Sequence, residues 1–448
     1  MKISIIGGGS YLWTFGFVRQ FIQSEYLAGA EVMLMDIDPS ALDLVGDAAR
    51  LYNRSHGSRL RIESATSLDR ALEGAQFVLV SISTGGLAAM RHDLEIPERY
   101  GIRHTVGDTI GPGGWSRAAR NIPVFDDLGL RMKRLCPDGW LINVTNPLTV
   151  LTRAPQRNHG IRAVGMCPGV ENHARMLATL AGAKKGCQPD YIVTGIDHGS
   201  WFTQLHADGM DVLGRLKELG YYRSDDRLPS QVETNDPFMA FTANRAVFAM
   251  WREIGYMPSI SDRHAVENWP WFLANGEEKL PFGIKRTSVA ERERHNEERR
   301  QRLIAFLKTS DEGALGDMGH GNDPVGEVIE SLRGHRSFLW GSNYMNVGQI
   351  PGFPDGAVVE TRCRFDAAGV HPQSSPMPDL LKSIVLPHLC RQEAMIDIAL
   401  RGSFDELVAL VVTDPLCCRL RVGQCREMMR ELMTANAHLI PNKRLLEF

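Results

Sequence analysis

A glycine-rich turn, Gly7-Gly8-Gly9-Ser10, closes the first β-rich run of the chain and opens a helical stretch. Glycine is needed where the backbone must turn tightly and let a pyrophosphate approach a helix N-terminus, although Leu12 stands where the usual fingerprint has its third glycine. The second strand candidate ends in Asp36, placed to accept hydrogen bonds from a ribose diol, which favours NAD over its 2′-phosphate form. The alternative is a glycine turn in a nucleotide-free α/β protein. We assign the predicted dinucleotide site to Gly7, Gly8, Gly9, Ser10, Asp36 and Ser83.

The first two hundred residues alternate β-rich runs with helical stretches, a pattern typical of a parallel sheet covered on both faces. The predicted strands are Lys2–Gly7, Glu31–Asp36, Arg59–Ser64, Phe77–Ser81, Trp140–Asn143 and Ile161–Gly165. The predicted helices are Ser10–Tyr26, Pro39–His56, Gly114–Leu135 and Val170–Leu180. From about Tyr191 two adjacent strand candidates are followed by longer helices. We therefore predict an α/β fold, with a Rossmann-type doubly wound parallel sheet in residues 1–190 and a C-terminal α+β domain for substrate, metal and oligomerisation in residues 191–448.

Several later segments have distinct patterns. Thr84–Pro112 holds seven glycines or prolines and no long apolar period, which predicts a ligand loop after a strand. Asp236–Ile254 is predicted to be a buried amphipathic helix, and Ser288–Leu307, with its Glu/Arg pairs, an exposed one. A closing helical pair is predicted at Pro378–Gly402 and Phe404–Val412.

Charge and composition narrow the class of protein. The formal net charge of -3 gives no basic field for nucleic acid. No stretch approaches the ~20 apolar residues that span a bilayer, and the first apolar run meets Gly7 too early for a signal peptide. The eight cysteines form no Cys-x-x-Cys pair, which argues against a zinc ribbon or a disulfide scaffold. We expect a reduced cytoplasmic enzyme without nucleic-acid or membrane partners.

Four further clusters carry polar chemistry: Gly107-Asp108-Thr109, Asn143 to Pro147, Cys167 with His198, and Asp262-Arg263-His264. A thiolate and an imidazole suit a Lewis-acid metal with open positions for substrate oxygens. Each cluster has a structural alternative, since a buried cysteine is often a small hydrophobe, a lone histidine a core residue, and an Asp-Arg-His triplet a surface ion-pair cluster. Their joint occurrence with a dinucleotide motif favours the functional interpretation.

The ordered motifs resemble glycoside hydrolase family 4, the NAD- and metal-dependent glycosidases whose fold is similar to lactate and malate dehydrogenases. The resemblance runs from Gly7 to about Thr361. It is carried by the glycine turn, Ile96-Pro97 with Tyr100-Gly101, Gly107-Asp108-Thr109 with Gly111 to Gly114, Asn143 with Thr145-Asn146-Pro147, Cys167, His198, Asp262-Arg263-His264 and Val358 to Thr361.

This resemblance implies a hydrolysis outside the usual carboxylate-pair mechanism. NAD would take a hydride from C3 of the sugar, and a divalent metal would polarise the resulting ketone. A base would then remove the C2 proton, and the aglycone would leave by elimination. Water would add and the hydride would return to C3, so NAD is recycled rather than consumed.

Residue roles follow from the resemblance one position at a time. Cys167 and His198 match metal ligands, with Mn²⁺ the favoured ion. Asp262 matches the aspartate proposed as the C2 base of α-glycoside members, and Asp108 is the candidate acid or hydroxyl partner. Substrate binding is assigned to Asn146, Arg91, Arg263 and His264.

The chain departs from the family pattern in three places. Pro168 follows the metal cysteine where members usually carry His, Asp or Asn, so the general acid must come from elsewhere, with Asp108, Glu171 and His173 as candidates. The family's Asn-His pair is Asp197-His198 here, which places another carboxylate beside the metal. The Gly107-Asp108-Thr109 version resembles members that act on unphosphorylated sugars.

Arg91 bears on the choice of sugar. It occupies the position at which phospho-sugar members bind the 6-phosphate, six residues before Pro97, and the alternative is a surface residue on a mobile loop. The pattern looks closest to the α-galacturonidase branch, although that branch's Cys-His-Glu-Val is Cys167-Pro168-Gly169-Val170 here. An α-linked uronide is the first choice and a sulfonated sugar, as in NAD-dependent sulfoquinovosidases, the second, because a guanidinium binds carboxylate and sulfonate alike. A neutral α-glucoside or α-galactoside is a further alternative.

Two functions of other classes remain open. One is a lactate/malate-type dehydrogenase, which would release NADH without needing a metal. The other is an inactive sensor that binds nucleotide and sugar, against which the intact Cys167, His198 and Asp262 argue. By analogy with the family, a homodimer or homotetramer is expected.

Overall fold

The computed structural model describes residues 1–222, 245–269, 273, 280, 282, 284, 286–316, 318 and 323–448. The strands are β1 (Lys2–Ile6), β2 (Glu31–Met35), β3 (Arg61–Ala65), β4 (Phe77–Val80), β5 (Trp140–Asn143), β6 (Arg162–Met166), β7 (Asp190–Ile196), β8 (Gly199–Ala207), β9 (Met210–Asp211), β10 (Met257–Pro258), β11 (Phe338–Met345), β12 (Val358–Asp366) and β13 (Gly369–Pro372). The helices are α1 (Thr14–Gln23), α2 (Pro39–Ser55), α3 (Leu68–Leu72), α4 (Gly86–Arg99), α5 (Gly111–Leu135), α6 (Leu148–His159), α7 (Gly169–Leu180), α8 (Val212–Glu218), α9 (Arg245–Ile254), α10 (Asp262–Ala265), α11 (Val289–Thr309), α12 (Val325–Leu332), α13 (Asp379–Arg401), α14 (Phe404–Val412) and α15 (Val422–Ala435).

The N-terminal strands pair in parallel in the order β3-β2-β1-β4-β5-β6. Their register places Ile6 beside Met35 and Val80, and Val80 beside Asn143, so the carboxyl ends of these strands lie along one edge. In doubly wound sheets of this order the ligand crevice opens outside that edge where the strand order reverses, here between β1 and β4. The predicted Rossmann-type architecture is confirmed.

The sheet continues past β6 with antiparallel strands. β11 pairs with β6 through Asn343 and Gly165, and β12, β7, β8 and β10 follow in that order, with β13 beside β12 and β9 beside β8. The two adjacent strands predicted from about Tyr191 are confirmed as β7 and β8. The division of domains between residues 190 and 191 stays a prediction.

Alternate residues of the central strands enter two different apolar cores. Val78 and Val80 of β4 pack in the core that includes the buried face of α5, whereas Phe77 and Leu79 pack with residues of α1 and α2. Because helices cover both faces of the sheet, these strands are apolar along their whole length rather than alternating. Rigid packing on both sides fixes the strand ends that carry the polar clusters.

The expectation of a ligand loop over Thr84–Pro112 is wrong in its middle, where α4 forms. The buried face of α4 includes Asp93, whose carboxylate pairs with Arg120 of α5, and both side chains are fully buried. A charge at a core position interrupts the apolar period by which helices are recognised in a sequence. The flanking segments 100–110 and 81–85 remain irregular at the carboxyl edge of the sheet.

The other predicted helices form with small shifts at their ends. α1 begins at Thr14 rather than Ser10, because Ser10 closes a turn with its N–H on the Gly7 carbonyl at 3.0 Å. Of the helix predicted at Asp236–Ile254, the part Arg245–Ile254 is confirmed, and residues 236–244 lie outside the described residues. Within the described ranges, we find no helix whose length and apolar character would let it cross a membrane.

Candidate functional site

Gly7 ends β1 with φ +94°, a conformation that favours glycine. A Cβ atom on Gly7 would lie 2.1 Å from the carbonyl oxygen of Ser81 after β4, so no side chain fits there. The N–H groups of Gly7 and Gly8 both donate to the Met35 carbonyl, at 2.9 and 2.7 Å. The glycine turn is thereby packed against the ends of β2 and β4, where the parallel strand order reverses.

Asp36 lies at the carboxyl end of β2 beside this turn. Its Oδ2 accepts the Gly9 N–H at 2.8 Å and its Oδ1 accepts the Asp38 N–H at 3.0 Å, which leaves lone pairs for a ligand hydroxyl. The next side chain, Ile37, is 88% exposed and offers an apolar surface next to the carboxylate. Ser83 is exposed after β4 on the same edge of the sheet. The structure brings the predicted cofactor residues together, and their role in binding NAD stays a prediction.

Cys167 and His198 meet although they follow different strands. Cys167 comes after β6, His198 lies in the turn between β7 and β8, and Sγ is 3.7 Å from Nε2. His198 has φ +61°, in the left-handed region, and the Asn268 side chain holds its carbonyl at 2.8 Å. With Asp197 the two residues offer three ligand atoms within 4.8 Å of one another. Burial raises the pKa of the Cys167 thiol and lowers the pKa of His198, so both groups favour their neutral forms until a cation compensates.

A hydrogen-bond relay determines which nitrogen of His198 faces the cysteine. The Thr109 hydroxyl lies 2.9 Å from Oδ1 of Asp108 and 2.8 Å from Nδ1 of His198. An ionised carboxylate can only accept, so Thr109 donates its single proton to Asp108 and accepts from Nδ1–H. Nε2 therefore carries the lone pair on the side of Cys167. Partners of this kind orient a histidine for metal binding.

Asp108 is held as a hydrogen-bond acceptor. The Asn146 amide donates to its Oδ2 at 3.1 Å, and Arg117 Nε donates to the Asn146 carbonyl at 2.9 Å. Burial raises the pKa of Asp108, but electrostatic interactions with His264, His198 and Arg117 and the hydrogen bond from Thr109 outweigh burial and hold the pKa below its usual value. A carboxylate in this state suits a sugar hydroxyl better than it suits a general acid.

Glu267 fixes the loop that carries Asp108, and the sequence did not reveal it. Its Oε1 accepts three backbone N–H groups at 2.9 Å each, from Thr105, Val106 and Gly107. Its fourth partner is Nδ1 of His104 at 3.1 Å, and the Gly113 N–H donates to Nε2 of the same ring at 3.1 Å. The proton of His104 therefore lies on Nδ1. The position of Glu267 three residues after the Asp-Arg-His triplet was the available sequence signal for a role in the site. The neighbouring residues do not show that Glu267 accepts backbone N–H groups from a distant loop.

The Asp-Arg-His triplet forms α10, and its members point to different neighbours. The His264 ring lies against the His198 ring with centroids 3.7 Å apart and the planes tilted by 34°, and Asp108, His198 and His264 form a second group of ligand atoms within 4.8 Å of one another. Arg263 donates to the Thr287 hydroxyl. The structure therefore places His264 directly in the cluster and Arg263 at its edge.

Asp262 is buried against α9. Its carboxylate accepts the backbone N–H groups of Val247 at 2.9 Å and Ala246 at 3.3 Å. Burial raises its pKa to about 6, and these hydrogen bonds offset only part of that effect. Such a pKa matches a general base at neutral pH, but the role of Asp262 as the C2 base stays a prediction.

Arg91 does not join the cluster. Its guanidinium pairs with Glu293 at 2.9 Å and Glu95 at 3.3 Å, and its side chain is 40% exposed. The geometry gives its assignment to the anionic sugar group no support, and the assignment stays a prediction.

Other guanidinium groups interact with Asp108. Burial lowers the pKa of Arg117, Arg263 and Arg292, and among the described residues the charge of Asp108 opposes that effect most strongly in each case. Arg292 lies in the first turn of α11, which was expected to be a solvent-exposed charged helix. A local charge pattern could not show that this end of α11 faces the loop of Asp108, where the Thr287 N–H donates to the Thr105 carbonyl at 2.7 Å.

Glu171 and His173, the other candidates for a general acid, face the core between α7 and β7-β8. The Tyr191 hydroxyl donates to Glu171 at 2.5 Å, and His173 stacks on Phe202 with centroids 6.4 Å apart. Burial lowers the pKa of His173 to about 3, so it favours the neutral form. Their catalytic roles stay untested predictions.

Comparison with known proteins gives a consistent result over the chain. The model described as family 4 glycosyl hydrolase matches residues 2–182, and the one described as family 4 glycosyl hydrolase C-terminal domain matches residues 193–417. An α-galacturonidase of Thermoanaerobacterium saccharolyticum is 31% identical over 453 residues, covering 97% of this chain and 95% of the relative. The crystal structure of a Bacillus subtilis protein described as a glucosidase superposes with a TM-score of 0.87 at 27% identity, covering 96% of this chain and 99% of the other. A 6-phospho-α-glucosidase from gut microorganisms, solved in complex with NAD and Mn²⁺, has a TM-score of 0.82 at 19% identity, covering 98% and 99% of the two chains.

Proposed function

The chain belongs to the family 4 glycosyl hydrolases, and from that premise we propose that it is an NAD- and divalent-metal-dependent glycosidase for α-glycosides with an anionic C6 group, first among them α-galacturonides. One observation carries the proposal. Cys167 and His198, with the imidazole proton fixed on Nδ1, lie 3.7 Å apart, and Cys167 follows β6 of the parallel sheet whose carboxyl edge carries the glycine turn.

The residues present fit both groups. The glycine turn lies where the parallel strand order reverses, and Asp36 beside it keeps lone pairs for a ribose diol. A thiol and an imidazole lone pair converge for a cation, and a solved relative of the same fold is complexed with NAD and Mn²⁺. When bound, NAD supplies a reversible hydride acceptor and the metal supplies a Lewis acid for sugar oxygens.

The side chains of the cluster bind and position the sugar. Asp108 accepts hydrogen bonds from hydroxyl groups of the sugar. The Asn146 amide donates one N–H to Asp108, and its second N–H can bind a sugar hydroxyl. We assign removal of the C2 proton to Asp262, whose pKa of about 6 leaves it ionised but basic at neutral pH. Oxidation at C3 would acidify C2–H, and the bond to the aglycone would then be broken by elimination rather than by direct displacement.

The guanidinium groups around Asp108 support an anionic substrate. Arg117, Arg263 and Arg292 all interact electrostatically with Asp108, and guanidinium groups in this region suit an anionic group on the sugar. The 31% identical relative is an α-galacturonidase, which favours a C6 carboxylate over a sulfonate. A sulfoquinovoside is the second candidate, because a sulfonate presents the same charge and similar oxygens to a guanidinium.

A substrate panel tests the proposal. The enzyme is assayed with NAD, Mn²⁺ and a reductant on α-linked galacturonides, glucuronides, sulfoquinovosides, neutral hexosides and 6-phosphohexosides. We expect the galacturonide to be cleaved fastest and all cleavage to stop after exhaustive chelation, with recovery on adding Mn²⁺. Activity that survives chelation contradicts the proposal, and stoichiometric NADH release from a simple hydroxy acid would favour the dehydrogenase alternative.

A further inference from the structure

Asp197 is a buried carboxylate that lies beside Cys167 and Asn343 but makes no hydrogen bond of good geometry with the residues that the structure describes. Its residue is 1% exposed, and neither Oδ1 nor Oδ2 has a hydrogen-bond partner among the residues that the structure describes. A carboxylate removed from water without donors is strongly unfavourable unless a proton or a cation compensates its charge. Such a group therefore points to a ligand.

The neighbours of Asp197 are those expected around a cation. Its Oδ2 lies 3.5 Å from Nε2 of His198, the nitrogen that carries the lone pair, and this distance is too long for a good hydrogen bond. Ligand atoms of Asp197, Cys167 and His198 all lie within 4.8 Å of one another. Sulfur, nitrogen and oxygen thus converge on one small volume from the end of β6 and the turn between β7 and β8.

A second buried carboxylate nearby differs from Asp197 in that both of its oxygens accept hydrogen bonds. Glu360 on β12 is 2% exposed, but its Oε2 accepts the Ser200 hydroxyl at 2.5 Å and its Oε1 accepts the Asn343 amide at 3.1 Å. Both oxygens of Glu360 accept hydrogen bonds, whereas neither oxygen of Asp197 accepts one of good geometry within the described part of the chain. The difference separates a structural acid from a ligand.

We propose that Asp197 is the third protein ligand of the divalent cation, completing a Cys167, Asp197 and His198 set. The inference rests on the proposed function for the presence of a cation. It adds Asp197 to Cys167 and His198, the two ligands that the proposed function already names. A thiolate and a carboxylate together carry the two negative charges that neutralise a divalent ion, and a carboxylate oxygen suits Mn²⁺ better than a purely soft ligand set.

The test measures metal binding directly. Metal-free protein is titrated with Mn²⁺ alone, and free Mn²⁺ is followed by its electron paramagnetic resonance signal. Asp197→Asn keeps the shape and removes the charge, and we expect it to weaken Mn²⁺ binding by about 10- to 100-fold or more, since even partners of ligands contribute that much. The matched control is Glu360→Gln, a nearby buried acid whose oxygens are already hydrogen-bonded, which should leave the affinity within about twofold.

Thermal unfolding gives a second readout that does not depend on catalysis. Without metal, Asp197→Asn should be at least as stable as the wild type, because an unpaired buried charge is removed. With saturating Mn²⁺, the wild type should gain more in Tm than the variant. Equal Mn²⁺ affinity and equal Tm gain in the wild type and Asp197→Asn would overturn the inference. Failure of the wild type to bind Mn²⁺ at all would instead contradict the proposed function.

Discussion

Nε2 of His198 lies 3.7 Å from Sγ of Cys167, and the two residues follow β6 and β7, which are consecutive in sequence but are separated by two other strands in the sheet. The contact joins the residue after β6 to the turn between β7 and β8, although β11 and β12 lie between β6 and β7 in the sheet. Thr109 and Asp108 then fix the imidazole from the opposite side. Metal affinity should therefore depend on residues that do not touch the cation.

Thr109→Val tests the relay behind His198. Valine has nearly the shape of threonine but cannot accept from Nδ1–H, so the ring loses its orienting partner. We expect Mn²⁺ affinity to fall by about 10- to 100-fold, measured by titration of metal-free protein. Thr149→Val is the control, because the Thr149 hydroxyl is buried without a hydrogen-bond partner among the described residues. An unchanged affinity in Thr149→Val and a loss in Thr109→Val support the relay, and equal affinities of the two variants argue against it.

Asp36→Ala tests the nucleotide site. The variant removes the acceptor for a ribose diol and the partner of the Gly9 N–H. We expect NAD binding, measured by calorimetry, to weaken by at least about tenfold, in line with a hydrogen bond to a charged group. Asp38→Ala removes the acid that accepts the Ser40 and Ala41 N–H groups at the start of α2, so it should lower stability by about 1 kcal/mol without changing NAD affinity. NAD binding that is the same in Asp36→Ala and the wild type would refute this site.

Arg292→Met and Arg91→Met separate two hypotheses for recognition of the anion. If the groups around Asp108 bind the sugar carboxylate, Arg292→Met should lower kcat/KM for an α-galacturonide by about tenfold or more, and change that for a neutral α-galactoside much less. Arg91→Met should have little effect on either, because Arg91 is held in exposed ion pairs. The reverse ranking of the two variants would restore Arg91 as the specificity residue.

Asp323 should make stability depend on pH. Burial raises its pKa to about 8, and neither carboxylate oxygen has a hydrogen-bond partner among the described residues. The folded protein holds this proton where the unfolded chain has lost it, so stability is highest below the ordinary aspartate pKa and is lost as pH rises toward 8. Chemical unfolding of metal-free protein at pH 6 and pH 8 should show a smaller loss in Asp323→Asn than in the wild type. Asp311→Asn, at an exposed turn, is the control, and an identical loss in all three proteins would contradict the assignment.

The sequence predicts the part of the site that depends on local motifs. The glycine turn, Asp36 and the Cys167 and His198 pair are found where strands end, and the parallel sheet follows from apolar runs covered on both faces. α4 is not recognised in the sequence because the charged residue Asp93 occupies a core position and interrupts the apolar period. Its partner Arg120 lies on another helix, so the local sequence does not show that the charge is paired. Glu267 is missed for a related reason, since its partners are backbone amides more than 150 residues away. These contacts depend on tertiary packing, which a local pattern does not encode.

The central claim concerns how the glycosidic bond is broken, and solvent isotope incorporation tests it most directly. The enzyme, NAD and Mn²⁺ are incubated with an α-linked galacturonide in D₂O, and the released sugar is analysed by NMR and mass spectrometry. Oxidation at C3 followed by loss of the C2 proton predicts deuterium at C2 of the product, with none at C2 when the free sugar is incubated alone. A cleaved product that keeps its original hydrogen at C2 would contradict elimination and indicate direct hydrolysis.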